Sequence, residues 1–259
     1  MTGKRGALML VLLAVAAGVS CGGARTAEGS PGSSGSTSSA GADHASRSDS
    51  ALVEFVAFVL DDVQGTWRGR FARAGTPYRS TTLVLFSGTT ATGCGHASSD
   101  SGPFYCPADG RVYLDLAFFR ELEERFGAPG DFAQAYVIAH EVGHHVQNLL
   151  GVAQRVSDAR RADPWRANDL SVGLELQADC YAGIWARSTS SRGILEPGDL
   201  REGLTAAAAV GDDRIQAAST GTVDPETWTH GSAEQRTAWF GRGFEAGDPR
   251  GCDTFAEVV

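Results

Sequence analysis

Two histidines four positions apart with a glutamate beside the first, His140-Glu141-Val142-Gly143-His144, restrict the fold of this chain more than any other feature. On an α-helix that spacing sets both imidazoles on one face, where they can hold one metal ion and leave Glu141 next to whatever that ion binds. The surrounding segment reads as a helix. From Asp131 to Leu150 it has no proline, and Phe132, Tyr136, Val137, Val142, Val146 and Leu149 recur at near-helical spacing. Pro129-Gly130-Asp131 offers a break and an N-cap, and Gly151 a stop. A helix this apolar is expected to be buried, so its Glu and His side chains need partners inside the protein, and a shared metal satisfies them together. Hydrogen-bonded core histidines are the plain alternative. His145 points about 100° away from His144 and cannot easily share the same ion.

A catalytic zinc takes three protein ligands and keeps one position open. The third ligand expected here is Glu175, in Leu174-Glu175-Leu176-Gln177-Ala178-Asp179. Val172, Leu176, Ala178, Tyr181, Ala182 and Trp185 mark a second buried helix on which Glu175 and Asp179, four apart, share a face. Asp179 can accept the outer N–H of one ligand imidazole and so fix its tautomer. In the chemistry this implies, one Zn²⁺ held by His140, His144 and Glu175 acidifies a water, and Glu141 takes the water's proton and passes it to the leaving group. Each carboxylate taken alone reads as a surface acid; their shared spacing in an apolar helix argues otherwise.

His140-Glu141-Val142-Gly143-His144-His145-Val146-Gln147, followed by Glu175-Leu176-Gln177-Ala178-Asp179-Cys180, resembles the putative neutral zinc metallopeptidases of bacteria, within the broader gluzincin group. Gly102-Pro103-Phe104-Tyr105-Cys106-Pro107-Ala108-Asp109, Gly211-Asp212-Asp213-Arg214-Ile215-Gln216 and Thr229-His230-Gly231-Ser232 also resemble that family, so the likeness spans most of residues 51 to 259. It implies a gluzincin-like α+β fold and hydrolysis of peptide bonds in a polypeptide substrate. Thr81 to Phe86 and Arg111 to Leu116 favour β-structure, with turns at Gly88, Gly93-Cys94-Gly95 and Asp109-Gly110, which suggests a mainly helical domain with a small antiparallel sheet beside the metal helix. The resemblance places an edge strand between Phe104 and Leu116, where extended substrate could pair; a packing hairpin is the alternative.

Ser232-Ala233-Glu234-Gln235 is a capping box that should open a helix through Arg236, Trp239 and Phe240, with His230 at its entry. His230 is the candidate donor to the oxyanion of the tetrahedral intermediate, against the reading of a surface histidine; Tyr136 and Tyr181 are weaker candidates. Leu204 to Val210 should form a helix ending at Gly211, and Asp212 and Asp213 either shape a specificity pocket or make salt bridges. His44 and His96 receive no role.

Lys4-Arg5 followed by the apolar run Ala7 to Val19 reads as a signal peptide over residues 1 to 20. Cys21, between Gly18-Val19-Ser20 and Gly22-Gly23, resembles a bacterial lipoprotein site whose cysteine is lipidated; Gly18 departs from the aliphatic residue usual there, which leaves simple secretion open. Residues 21 to 50, rich in Gly, Ser, Ala and Thr, read as a lipidated cysteine with a disordered linker of roughly 30 Å reach. Residues 51 to 259 suit one domain, and Ala51 to Tyr78, with Trp67, reads as a helix packed on the core or a lid over the site. The expected location is extracytoplasmic, lipid-anchored to the outer face of the cell membrane through Cys21, or else secreted. The formal charge of −9, which loss of Lys4 and Arg5 makes more negative, argues against nucleic acid as a partner. No feature of the sequence sets an oligomeric state.

Cys94, Cys106, Cys180 and Cys252, an even set in a chain bound for an oxidising compartment, suggest two disulfides. Of three pairings, Cys94 with Cys106 is the local choice and leaves Cys180 with Cys252, which would brace the helix of Glu175 and Asp179. The alternative, a cysteine metal site, lacks any Cys-x-x-Cys spacing. Two functional rivals accompany the peptidase reading: an envelope lipoprotein that binds a protein or cell-wall component and holds a structural zinc, and a zinc amidase acting on peptidoglycan.

Overall fold

The structure, a computed structural model, describes residues 39–256, with side chains from Ser50 onward; the described residues from Ala45 onward form one compact unit. The leader read at 1–20 and the lipidation candidate Cys21 lie outside the described residues. The described helices are α1 (Ser39–Arg73), α2 (Ala117–Glu124), α3 (Asp131–Leu149), α4 (Val152–Ala162), α5 (Ala167–Ser191), α6 (Asp199–Ala209), α7 (Asp212–Thr220) and α8 (Ala233–Ala246). The strands are β1 (Thr82–Phe86), β2 (Thr89–Thr92), β3 (Gly95–Ser98), β4 (Phe104–Cys106) and β5 (Arg111–Asp115). The fold is mainly helical with a small sheet, compatible with the α+β class.

Helix α1 buries Val56, Val59, Val63, Trp67 and Phe71, a stripe at steps of three and four that lays it along the core. Trp67 meets Tyr181 of α5 edge to face at 5.0 Å, and the Trp185 Nε1–H donates to Asp62 at 2.8 Å. It is therefore a packed helix rather than a lid. Its start at Ser39 puts regular helix into the end of the stretch read as a linker to residue 50. Extending an established helix fixes one residue per hydrogen bond, so Ala-containing sequence without proline can continue it.

The sheet departs from the antiparallel expectation. Its order is β1-β5-β4, with β1 parallel to β5 and β4 antiparallel to it, while β2 and β3 form a separate antiparallel hairpin. The chain leaving β1 first makes the β2–β3 hairpin, then returns as β4 and turns tightly through Pro107 to Gly110 into β5. That turn reserves one side of β5 for β4. Strand β1 is separated from β5 by a long connection and joins the other side in the same direction, as such crossovers permit.

Helix α5 runs through the core between α3 and α8, and glycines set how closely the three approach. A Cβ on Gly143 of α3 would lie 3.1 Å from the Ala178 Cα of α5. Cβ atoms on Gly183 and Gly243 would fall 2.0 Å from the Phe240 carbonyl oxygen and 1.9 Å from the Cys180 carbonyl oxygen, so α5 and α8 touch backbone to backbone. Disulfides join Cys94 to Cys106, tying the hairpin to β4, and Cys180 to Cys252, tying α5 to the C-terminal segment.

Candidate metal centre

Close packing of α3 on α5 through Gly143 brings His140 and His144 of α3 against Glu175 and Asp179 of α5. The His140 and His144 Nε2 atoms are 3.1 Å apart, and the Glu175 oxygens lie 3.1 Å from the first and 3.4 Å from the second. Three donors at the corners of a tetrahedral zinc shell with bonds near 2.05 Å would be separated by about 3.3 Å, so the set is already spaced for the ion.

The outer nitrogens bear on whether the site suits a cation. His140 Nδ1–H donates to Asp179 Oδ1 at 2.8 Å, and His144 Nδ1–H donates to the Gln147 side-chain oxygen at 2.9 Å. With both ring protons spent outward, two imidazole lone pairs and a carboxylate converge on one point with no hydrogen among them. Around it stand the carboxylates of Glu141, Glu175 and Asp179 against the single guanidinium of Arg236, an excess of two negative charges that a divalent cation neutralises. Without the ion a proton takes its place. Burial disfavours the His140 imidazolium, yet Asp179 and Glu175 outweigh burial and carry its pKa up to about 10.

Asp179 is fully buried and held on all sides. It accepts from Tyr136 Oη at 2.5 Å, from His140, and from Arg236 Nε at 2.8 Å and a second Arg236 nitrogen at 3.0 Å. Burial alone would raise its pKa, but Arg236 and His140 outweigh that and keep it ionised. Arg236 is the residue that the sequence reading named only as part of a helix. It lies on the buried stripe of α8 with Ala233, Trp239 and Phe240, and a charged residue on such a stripe is the signal that could have marked it. Tyr136, read as an oxyanion candidate, is instead turned onto Asp179, and Tyr181 packs against Trp67 away from the centre.

Glu141 is buried at the wall of the same cleft, and burial, its largest influence, raises its pKa above that of an ordinary glutamate. The cleft holds about 480 Å³ and is also lined by Phe104 and Tyr105 of β4, by Phe118 and Phe126, and by His230. Strand β4 pairs with β5 alone among the described strands, so its outer edge is the sheet margin nearest the centre. His145 turns away as expected: its Nε2 meets the Arg79 carbonyl at 2.6 Å and its Nδ1 the Tyr105 hydroxyl at 3.1 Å.

The capping box at Ser232 and Gln235 forms and opens α8. His230, half exposed, faces the cleft with Nδ1 3.1 Å from Asp212 Oδ1. Asp212 Oδ2 also accepts the backbone N–H groups of Thr229, His230 and Gly231, and Asp213 accepts that of Ala233. The two aspartates therefore organise the loop that carries His230: Asp212 makes the expected kind of ion pair, with His230, and both add backbone hydrogen bonds to it. The Asp212 hydrogen bond is the largest cause of the raised pKa of His230.

Two helices presenting a His, His and Glu donor set, with an outer carboxylate and a buried glutamate at a cleft, make a candidate metal-binding centre. Residues 1–255 match the family described as "Putative neutral zinc metallopeptidase", and the chain belongs to that family. It is 45% identical over 261 residues to the uncharacterized protein YpfJ of Escherichia coli K12, covering 100% of this chain and 89% of that one. It is also 54% identical over 185 residues to the uncharacterized proteins Mb2605 of Mycobacterium bovis and Rv2575 of Mycobacterium tuberculosis H37Rv, covering 67% of this chain and 62% of each relative. No solved structure matches the chain.

Proposed function

We propose that this protein is a zinc-dependent peptidase in which His140, His144 and Glu175 hold one Zn²⁺ and Glu141 is the general base. The observation that carries the reading is the convergence of the His140 and His144 Nε2 atoms and the Glu175 carboxylate, with contacts of 3.1 to 3.4 Å, on the floor of an open cleft beside Glu141. Bound zinc supplies Lewis acidity toward a water and a scissile carbonyl. Glu141, its basicity raised by burial, accepts the water's proton and delivers it to the leaving amine. Asp179 orients His140 and is itself fixed by Arg236 and Tyr136. His230 spends Nδ1–H on Asp212, so Nε2 donates toward an oxyanion only while the ring is protonated, the form that Asp212 favours. Backbone pairing along the free edge of β4 would select extended, flexible polypeptide without reading its sequence.

An open cleft lined by a buried glutamate is wasted on a purely structural zinc, whose shell is closed by four protein ligands. The location outside the cytoplasm, with lipid anchoring at Cys21, is part of the proposal; the leader pattern and the two disulfides support it. The test is hydrolysis of an unfolded protein by the purified chain after chelator treatment and after return of zinc. Activity lost and then restored with one equivalent supports the reading, whereas cleavage indifferent to the metal contradicts it.

A further inference from the structure

Gln147 and Gln177 belong to the two helices that carry the donor set: Gln147 stands at the cleft wall against the outer nitrogen of His144, and Gln177 lies behind it. Gln147 is completely buried and Gln177 nearly so. A buried primary amide presents two donors and an acceptor that all need partners, and here each bond is directional.

The direction is set from the far end. The Cys252 carbonyl can only accept, so the group 2.9 Å from it is the Gln177 amide nitrogen, which turns the Gln177 oxygen toward Gln147. The Leu174 carbonyl likewise accepts from the Gln147 nitrogen at 2.7 Å, and the same nitrogen reaches the Gln177 oxygen at 3.1 Å. Only the Gln147 oxygen remains, 2.9 Å from His144 Nδ1, and that nitrogen must therefore carry the proton. Two backbone carbonyls thus dictate which nitrogen of His144 offers a lone pair. The carbonyl of Cys252 is in turn held at α5 by the bond from Cys252 to Cys180 and by the Thr254 hydroxyl donating to the Gly173 carbonyl at 2.5 Å.

We infer that Gln147 and Gln177 form a relay that positions His144 and ties its tautomer to the disulfide-anchored C-terminal segment. The two histidines are then held by different means. His140 leans on an ionised carboxylate, whereas His144 leans on neutral amides, which orient it without adding a fourth carboxylate to the inner site. The inference rests on the zinc reading above, and it names Gln147 and Gln177 as positioning residues for that centre.

The experiment measures zinc affinity of the full chain by chelator competition in the wild type, Gln147→Leu, Gln177→Leu, the double variant and Cys180→Ala/Cys252→Ala. Urea unfolding of the zinc-free forms accompanies it, so that lost affinity is separated from lost fold. Outer partners of metal ligands are worth roughly 10- to 100-fold in affinity, and Gln147→Leu should fall in that range. Gln177→Leu should weaken zinc severalfold and add little on top of Gln147→Leu, because one chain is cut twice. NMR of the zinc-loaded protein should show a His144 Nδ1–H protected from solvent exchange, with protection lost in both single variants. The disulfide variant should weaken zinc and be non-additive with Gln177→Leu; should it not fold, the two glutamine variants decide alone. Wild-type zinc affinity in a folded Gln147→Leu protein, fully additive losses, or an unprotected Nδ1–H would overturn the relay. A wild type that binds no zinc overturns the metal centre itself, and the relay with it.

Discussion

Asp179 carries a full negative charge at zero exposure because Arg236, Tyr136 and His140 together surround it. Removing its partner is therefore worse than removing a surface ion pair: Arg236→Leu strands a buried charge and should cost about 3–5 kcal/mol in urea unfolding. Asp179→Ala frees the His140 ring and should weaken zinc by roughly 10- to 100-fold, read by chelator competition. The Asp212 and His230 pair has a pH signature. His230 has a raised folded pKa, so the stability it adds is fully present below the unfolded value of about 6.5 and is lost as pH rises through the folded pKa. The protonated ring is also the one that can donate to an oxyanion. Asp212→Asn removes the main cause of the rise, so the basic limb of kcat/KM should move to lower pH; an unmoved limb would separate His230 from the chemistry. Much of this was legible in residues: the spacing of His140 and His144, and of Glu175 and Asp179, translates directly into helix faces. The partners of Arg236 and Asp212 are not legible, because Asp179 and the Thr229 to Gly231 loop lie far along the chain from them and no local period reveals such a contact.

Among the elements, helices α3 and α5 are legible through local periodicity, and α8 through its capping box, whereas neither α3 nor α5 has a side-chain cap at its start. The sheet was read less well. Residues favouring β-structure located β1 and β5, but strand direction depends on which side of β5 the β4 turn occupies, and that is a non-local choice. Glycines at the helix contacts make a sharp test of the packing. Gly243→Ala would drive a methyl group into the Cys180 carbonyl of α5, where backbone cannot yield without parting the helices. It should cost about 3 kcal/mol or more and lower zinc affinity, since α5 carries Glu175 and Asp179. Stability equal to the wild type would show that α5 and α8 lie further apart than described.

For the molecule as a whole, the two disulfides close loops of very different size, with sequence separations of 12 and 72. Chain entropy assigns about 3 kcal/mol to the first and about 4 kcal/mol to the second. Cys180→Ala/Cys252→Ala should therefore lower the urea midpoint more than Cys94→Ala/Cys106→Ala, and it alone should disturb the metal centre. The local bridge instead braces β4, so its loss should raise KM for polypeptide and leave zinc content intact. The α3, α5 and α8 packing thus converges on one cleft in which the buried Glu141 stands beside a three-residue candidate metal site. The most direct measurement compares hydrolysis of an unfolded protein by the wild type and by Glu141→Gln, with zinc content determined in both. One zinc in each and cleavage only by the wild type is the expected result; comparable cleavage by Glu141→Gln at equal zinc would contradict the assignment of Glu141 as the base.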